Sequence, residues 1–238
     1  MDLSQRNLRP ELMDQPGLDE TAHRGALTGL RRINQWSGTG QSLWSVLKEM
    51  AETPASSSRS PLRVLELASG GGDVTRWLAA SAQRSDVPLV LHGWDISATA
   101  VTHAQAAADC GKLRNVRFFQ RDALEESLPN DYDVIFCTLF LHHLDEPAVP
   151  ALLRRMAAAA RRAVIVDDLR RTWLGYGLAW LGCRVLSGSR IVHHDGPLSV
   201  RAAFTIREIQ YLARQAGLGG AVIRCHWPQR FRLTWRKP

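Results

Sequence analysis

Apolar positions change their spacing along this chain in a way that marks alternating strands and helices. Five short apolar runs recur between residues 62 and 167: LRVLEL (62–67), LVLHGW (89–94), VRFFQ (116–120), DVIFCT (133–138) and AVIVD (163–167). Runs of this length, bounded by polar and turn residues, read as strands buried on both faces. Between them the spacing becomes helical. Val74, Trp77, Leu78 and Ser81 follow the first run, and Val101, Ala104 and Ala108 follow Ser97 after the second. Leu152, Leu153 and Met156 follow the fourth. Strands that alternate with helices predict a parallel sheet, and right-handed crossovers make it doubly wound.

The two ends depart from this rhythm. Near the start, Asp19 precedes a stretch in which Ala22, Ala26, Leu30 and Ile33 share one face. After the break Gly38-Thr39-Gly40, Leu43, Val46, Leu47 and Met50 repeat at helical spacing. Thr53 to Pro61 is rich in small polar residues and carries two prolines. The chain therefore divides into a helical extension (1–52), a linker (53–61) and an α/β domain (62–238). Near the far end, Thr205-Ile206-Arg207-Glu208 has the capping-box pattern and opens a helix that ends near Gly217. AVIRCHW (221–227) and RFRLTW (230–235) are separated only by Pro228-Gln229. So short a link cannot carry a parallel crossover, so these two strands pair antiparallel.

Composition narrows the class. With 238 residues, 45% apolar and 22% charged, the chain can bury a full core without staples. Thirty Lys and Arg against 23 Asp and Glu give a net charge of +7, compatible with an anionic partner. The arginines lie in scattered pairs with no basic tail, which argues against nucleic acid. Cys110, Cys137, Cys183 and Cys225 form no CxxC, so neither a disulfide framework nor a zinc knuckle is expected, and a reducing cytoplasm fits. The opening MDLSQRNLRPELMD has no apolar core of a signal peptide. Trp173 to Leu186 is the most apolar stretch; it is too short to span a bilayer and contains Arg184, which leaves peripheral contact open.

The sharpest feature is Glu66-Leu67-Ala68-Ser69-Gly70-Gly71-Gly72-Asp73, which leaves the first strand and opens the first helix. Small residues there let a ligand reach the backbone, at the carboxyl end of a parallel strand where such sheets bind ligands. Thr75 stands where a dinucleotide loop has its third glycine, and no phosphate-loop motif occurs. Glu66 would repel a pyrophosphate but suits an ammonium group. Asp95, at the end of the second strand, can accept hydrogen bonds from ribose hydroxyls, and Asp122-Ala123 after the third can meet an adenine. Ammonium, ribose and adenine together describe S-adenosylmethionine. Each of these residues also has a plainer use, as tight-turn glycines or helix-capping aspartates.

This order of motifs resembles the class I S-adenosylmethionine-dependent methyltransferases over about residues 60–238. The resemblance implies a Rossmann-like, seven-stranded, mostly parallel sheet with an antiparallel terminal strand and an N-terminal helical lid. Carried over by position, Glu66 lies near the methionine ammonium, while Ala68 (where glycine is commoner), Ser69, Gly70 and Gly72 form the loop. Asp95 holds the ribose with Ile96 beside the adenine, Asp122 and Ala123 flank the base, and Thr138 closes the fourth strand on the cofactor side. The following loop, Leu139 to Leu144, would lie beside the transferable methyl, which makes His142 or His143 the candidate base. An arginine of the lid, Arg31 or Arg32, could pair with the methionine carboxylate. No metal is expected: adjacent His193 and His194, even with Asp195, Asp167 and Asp168, lack a ligand spacing, and a polar loop is the simpler reading. The segment 172–186 reads as a helix on the core or as an apolar wall for a flat or lipophilic substrate.

The loop after the fourth strand, Cys137-Thr138-Leu139-Phe140, lacks the Pro-Pro-aromatic signature of amino-group methylators. The expectation is a methyltransferase acting on a small, aromatic or lipophilic, hydroxyl-bearing molecule, closest to the quinol- and phenol-methylating members. Two other classes stand beside it: a nicotinamide-dependent oxidoreductase, and a non-catalytic partner that binds the cofactor.

Overall fold

The computed structural model describes residues 2–15, 17–53 and 60–238. Most of the expected linker therefore lies outside the described residues. Seven strands form one sheet: β1 (Leu62–Leu67), β2 (Leu89–Asp95), β3 (Val116–Gln120), β4 (Val134–Thr138), β5 (Ala163–Leu169), β6 (Val222–His226) and β7 (Arg230–Arg236). Their order is β3-β2-β1-β4-β5-β7-β6, and β1 to β5 are parallel. β7 inserts between β5 and β6 and runs antiparallel to both. The two-residue link forces this reversal, as expected. The order reverses between β1 and β4, so the carboxyl ends of these strands open the crevice where ligands bind in such sheets.

The central strands show why their apolar runs are unbroken. Val64, Val134, Phe136 and Ile165 face one layer, where they pack with Leu43, Leu47, Leu78 and Ala104. Leu65, Leu67, Ile135, Cys137, Val164 and Val166 face the other, against Leu152, Met156, Ile209 and Leu212. The first layer is α2 (Thr39–Glu52), α3 (Asp73–Arg84) and α4 (Ala98–Cys110); the second is α5 (Ala148–Ala159) and α8 (Ile206–Gln215). α8 carries the complete capping box, with Thr205 and Glu208 each serving the other's backbone N–H.

A third group closes over the carboxyl ends of the strands: α1 (Glu20–Ser37), α6 (Trp173–Leu186) and α7 (Arg190–Ala202). Ala26, Cys183 and Val192 form its small core with Met13, Leu30 and Ile33. Here the structure corrects a reading: His193-His194-Asp195 is not in a polar loop but inside α7, which also contains Pro197. Burial of Val192, Leu198 and Val200 between α6 and the N-terminal segment outweighs the weak helix preference of that sequence. Asp195 is buried because its two oxygens accept the backbone N–H groups of Leu12 and Met13.

Candidate active site

The loop after β1 is built from local backbone conformations that few residues tolerate. Ala68 (φ 53°), Gly70 (φ 52°) and Gly72 (φ 70°) all take the left-handed region. Alanine is disfavoured there by roughly 1–2 kcal/mol, so Ala68 holds strain in the loop. Ser69 N–H donates to the Trp94 carbonyl of β2 at 2.9 Å, and Gly72 N–H closes the turn on Ser69. Gly72 is needed for packing: a Cβ there would lie 2.5 Å from the Phe118 ring. Gly70 faces open space. The buried Ser69 hydroxyl has no hydrogen-bond partner and borders the cavity above the loop.

Two acids support this loop differently. Asp95 accepts the Gly70 N–H at 2.7 Å and the Ser97 N–H at 2.9 Å and borders the cavity. Glu66 sits behind the loop and does not border the cavity. Thr138 donates to one of its oxygens at 2.7 Å and Thr75 of α3 to the other. Burial pushes the Glu66 carboxyl up to about 8, against the pull of the two threonine hydroxyls. The expected position beside a ligand ammonium is therefore not where this side chain stands; it braces the loop, β4 and α3 from beneath.

The cavity measures about 740 Å³, a volume that suits a nucleoside ligand together with a small acceptor. Its floor is the loop, Asp95 and Thr138, and Ile96 and Leu124 border one end. Asp122 and Ala123, expected to flank the base, do not border it. Asp122 instead caps the backbone of Leu124 and Glu125, and Ala123 is buried in the core. Overhead lie Leu27, Ile33 and Trp36 of α1, while Leu178, Ala179 and Gly182 of α6 form the far wall. Neither Arg31 nor Arg32 borders the cavity, but Arg230 of β7 does. Arg230 is buried and donates to Thr39 and Asn34, and Asn34 in turn donates to Asp73 at 2.8 Å. One chain of polar contacts thus joins the lid, the last strand and the start of α3.

Beyond Thr138 the chain enters a 3-10 turn, Leu141–His143, after Leu139 takes φ 52°. His142 and His143 both border the cavity, their rings 4.3 Å apart. His142 Nδ1 lies 2.7 Å from a carboxylate oxygen of Asp168 on β5, and both residues are almost fully buried. Burial alone would raise the Asp168 carboxyl, but the paired His142 and the Leu169 N–H hold it below the usual carboxylate range. The second His142 nitrogen points toward Glu11, at 3.7 Å. Glu11 accepts from Ser199 at 2.5 Å. Among the described residues, Glu11, His142 and His143 bring ligand atoms within 4.8 Å of one another, a set that could receive a divalent cation. His193, His194, Asp195, Asp167 and Asp168 do not assemble into one site: Asp167 pairs with His226, Asp168 with His142, and Asp195 with the adjacent His194 and the N-terminal backbone.

The residues missed in the sequence are Glu11, Asp168, Ser199 and Arg230. They come from four distant segments, and none stands in a local motif; only the double acid Asp167-Asp168 at the end of a strand was a visible signal.

Residues 64–163 match the family described as "Methyltransferase domain". That span holds the loop, Asp95, Thr138 and both histidines. Over that stretch the chain is similar to methyltransferase domains. Solved structures of this fold have been crystallised with S-adenosylmethionine, so that is the group to test against this site. The residues present fit it. The open space over Gly70, the unpartnered Ser69 hydroxyl and the acids Asp73 and Asp95 around the loop suit a cationic nucleoside rather than a pyrophosphate. A search of curated proteins found no match. Solved structures show the same fold. Magnesium protoporphyrin IX methyltransferase of Synechocystis, crystallised with S-adenosylmethionine, is 16% identical with a TM-score of 0.56, over 95% of this chain and 88% of that one. Human N-acetylserotonin methyltransferase is 16% identical with a TM-score of 0.62, over 94% of this chain and 60% of that one. An O-methyltransferase-like protein of Nostoc punctiforme is 21% identical with a TM-score of 0.59. There the match covers 84% of this chain but only 56% of the other, so this chain spans little more than half of that relative's length.

Proposed function

We propose that this enzyme methylates a hydroxyl group on a small, aromatic or lipophilic acceptor, with His142 as the base. The observation that carries this reading is the buried Asp168–His142 pair, whose imidazole borders a cavity walled on one side by the apolar face of α6. When bound, S-adenosylmethionine supplies an electrophilic methyl and its leaving group. The chain's own task is alignment and proton removal. Asp168 accepts the Nδ1–H of His142, which leaves Nε2, 3.7 Å from Glu11 at the edge of the chamber, as the nitrogen that can take a proton. His142 Nε2 takes the hydroxyl proton as the acceptor oxygen forms its bond to carbon, and ionised Asp168 stabilises the resulting imidazolium. Asp95, Ser69 and the loop backbone would hold the nucleoside, and Ile96 and Leu124 would border its base. Glu66 stays beneath as a brace. Leu178, Ala179 and Leu186 exclude water from the acceptor.

The test is single-turnover methylation of a phenol and quinol panel with isotopically labelled cofactor, read by mass spectrometry. Label on oxygen of at least one acceptor, lost in His142→Ala, supports the reading; label transferred at the wild-type rate by His142→Ala and by His143→Ala overturns it. The Glu11–His142–His143 set supports a second reading, in which a divalent cation activates the acceptor oxygen. Loss of turnover on chelation and its return with one added metal would favour that reading.

A further inference from the structure

Apart from Arg184, helix α6 is apolar around its circumference, which normally means burial on all sides. Here only one side is covered. Gly175, Leu178, Ala179, Gly182, Cys183 and Leu186 face the cavity. Trp173, Leu174, Trp180, Leu181 and Val185 are exposed, from 47% at Trp180 to 72% at Val185. At 100° per residue these five fall on one arc of roughly 140°. Arg184 lies in the same arc, its guanidinium stacked on the Trp180 ring at 4.2 Å. The stripe extends past the start of α6. Thr172 donates to Gln229, and the neighbouring exposed Trp227 packs edge-on against Trp36 of the lid at 5.1 Å.

The part of the chain that begins with this stripe carries its net positive charge, Arg184 within the stripe included. Residues 173–238 contain ten Lys and Arg against two Asp and Glu, a net +8, whereas residues 1–172 carry 20 against 21, a net −1. Of the two acids, Asp195 is buried and Glu208 is paired with Arg171. Exposed tryptophan and leucine with interspersed arginine are the composition of a surface that lies in the headgroup region of a negatively charged bilayer. No helix among the described residues is long and apolar enough to cross a membrane.

We propose that the outer face of α6, with Trp227 and Trp36 at its edge, docks on an anionic lipid bilayer. Trp173, Trp180 and Leu181 enter the interface, and Arg184 and Arg190 meet lipid phosphates. The opposite side of the same helix is the acceptor wall, so docking sets the chamber one helix away from the membrane. This goes beyond the acceptor reading and does not depend on it.

Sedimentation of the full chain with phosphatidylcholine vesicles, with and without phosphatidylglycerol, tests the surface directly. The expected result is binding to the anionic vesicles that weakens as salt rises. The double variant Trp180→Ser/Leu181→Ser lowers the partition coefficient by tenfold or more, at about tenfold for each large apolar side chain withdrawn. Arg184→Glu, which reverses an exposed charge and removes its stacking on Trp180, lowers it severalfold, and covers the case that the double variant does not fold. Tyr211→Ser, an equally exposed aromatic on α8, leaves it unchanged. Binding to neither vesicle type overturns the proposal, as does equal loss in Tyr211→Ser. So does a concentration-dependent dimer in analytical ultracentrifugation that the α6 variants abolish, which would make the stripe a contact between two copies of the chain.

Discussion

The cavity has two halves that are built in opposite ways. The cofactor half comes from a compact stretch: the loop of residues 66–73 and Asp95 lie within 30 residues, and every key contact follows from the turn between a strand and its helix. The acceptor half gathers Glu11, His142, Asp168, Ser199 and the wall of α6 from across the chain. The first half is specified by local backbone conformation, the second by tertiary packing alone. Substitutions in the first should therefore change cofactor affinity, and substitutions in the second should change turnover while leaving that affinity in place.

The largest effect should separate the halves most cleanly. Asp168→Asn removes the charge that fixes the His142 tautomer, and His142→Ala removes the base. Each should lower kcat by about 10²–10⁴-fold, with S-adenosylhomocysteine affinity unchanged by calorimetry. A matching fall in affinity would show that the halves are not separable.

Glu66 offers the next largest effect, on stability. Its folded carboxyl titrates at about 8 rather than near 4.5. Between those values the unfolded chain loses the proton while the folded chain keeps it, so stability is fully present below about pH 4.5 and drains away as pH rises to about 8. Glu66→Gln cannot ionise. Its denaturant midpoint should decline less across that window than the wild type's, a difference worth a few kcal/mol; parallel profiles would remove Glu66 as a buried, protonated brace.

Two aspartates of similar size of effect then test the division. Asp95→Ala should weaken S-adenosylhomocysteine binding by about 1–3 kcal/mol, since it leaves Gly70 and Ser97 N–H groups and the ligand hydroxyls without their acceptor. Asp195→Ala releases the Leu12 and Met13 N–H groups and with them the segment carrying Glu11. It should raise KM for the acceptor and spare cofactor binding. Smallest is Ala68→Gly. It relieves the positive φ but gains freedom in the unfolded chain, so the thermal midpoint should move upward by no more than the equivalent of about 1 kcal/mol.

The same contrast explains what could be read from the sequence. The sheet was legible because its central strands, β1, β4 and β5, are buried on both faces, which leaves unbroken apolar runs, and the Pro228-Gln229 link left β7 no direction but antiparallel. The loop was legible because glycine spacing reports backbone conformation directly. Glu66 was legible as an acid at the right place but not in its role, since only the fold shows Thr75 and Thr138 closing on it. Asp122 likewise announced a turn, and the turn is what it makes. The α7 helix was hidden because Pro197 and His-His-Asp argue locally for a loop, and the packing that overrides them comes from α6 and residues 11–13. Arg230 read as one alternating residue of a strand, although it is the buried cation that ties the lid to Asp73 through Asn34.

The most direct measurement is a crystal structure of the protein with S-adenosylhomocysteine. The nucleoside should lie over Gly70, its ribose on Asp95, its adenine between Ile96 and Leu124, and its sulfur directed toward the His142 side of the chamber. Density in another crevice, or a ligand whose ribose makes no contact with Asp95, would contradict the account.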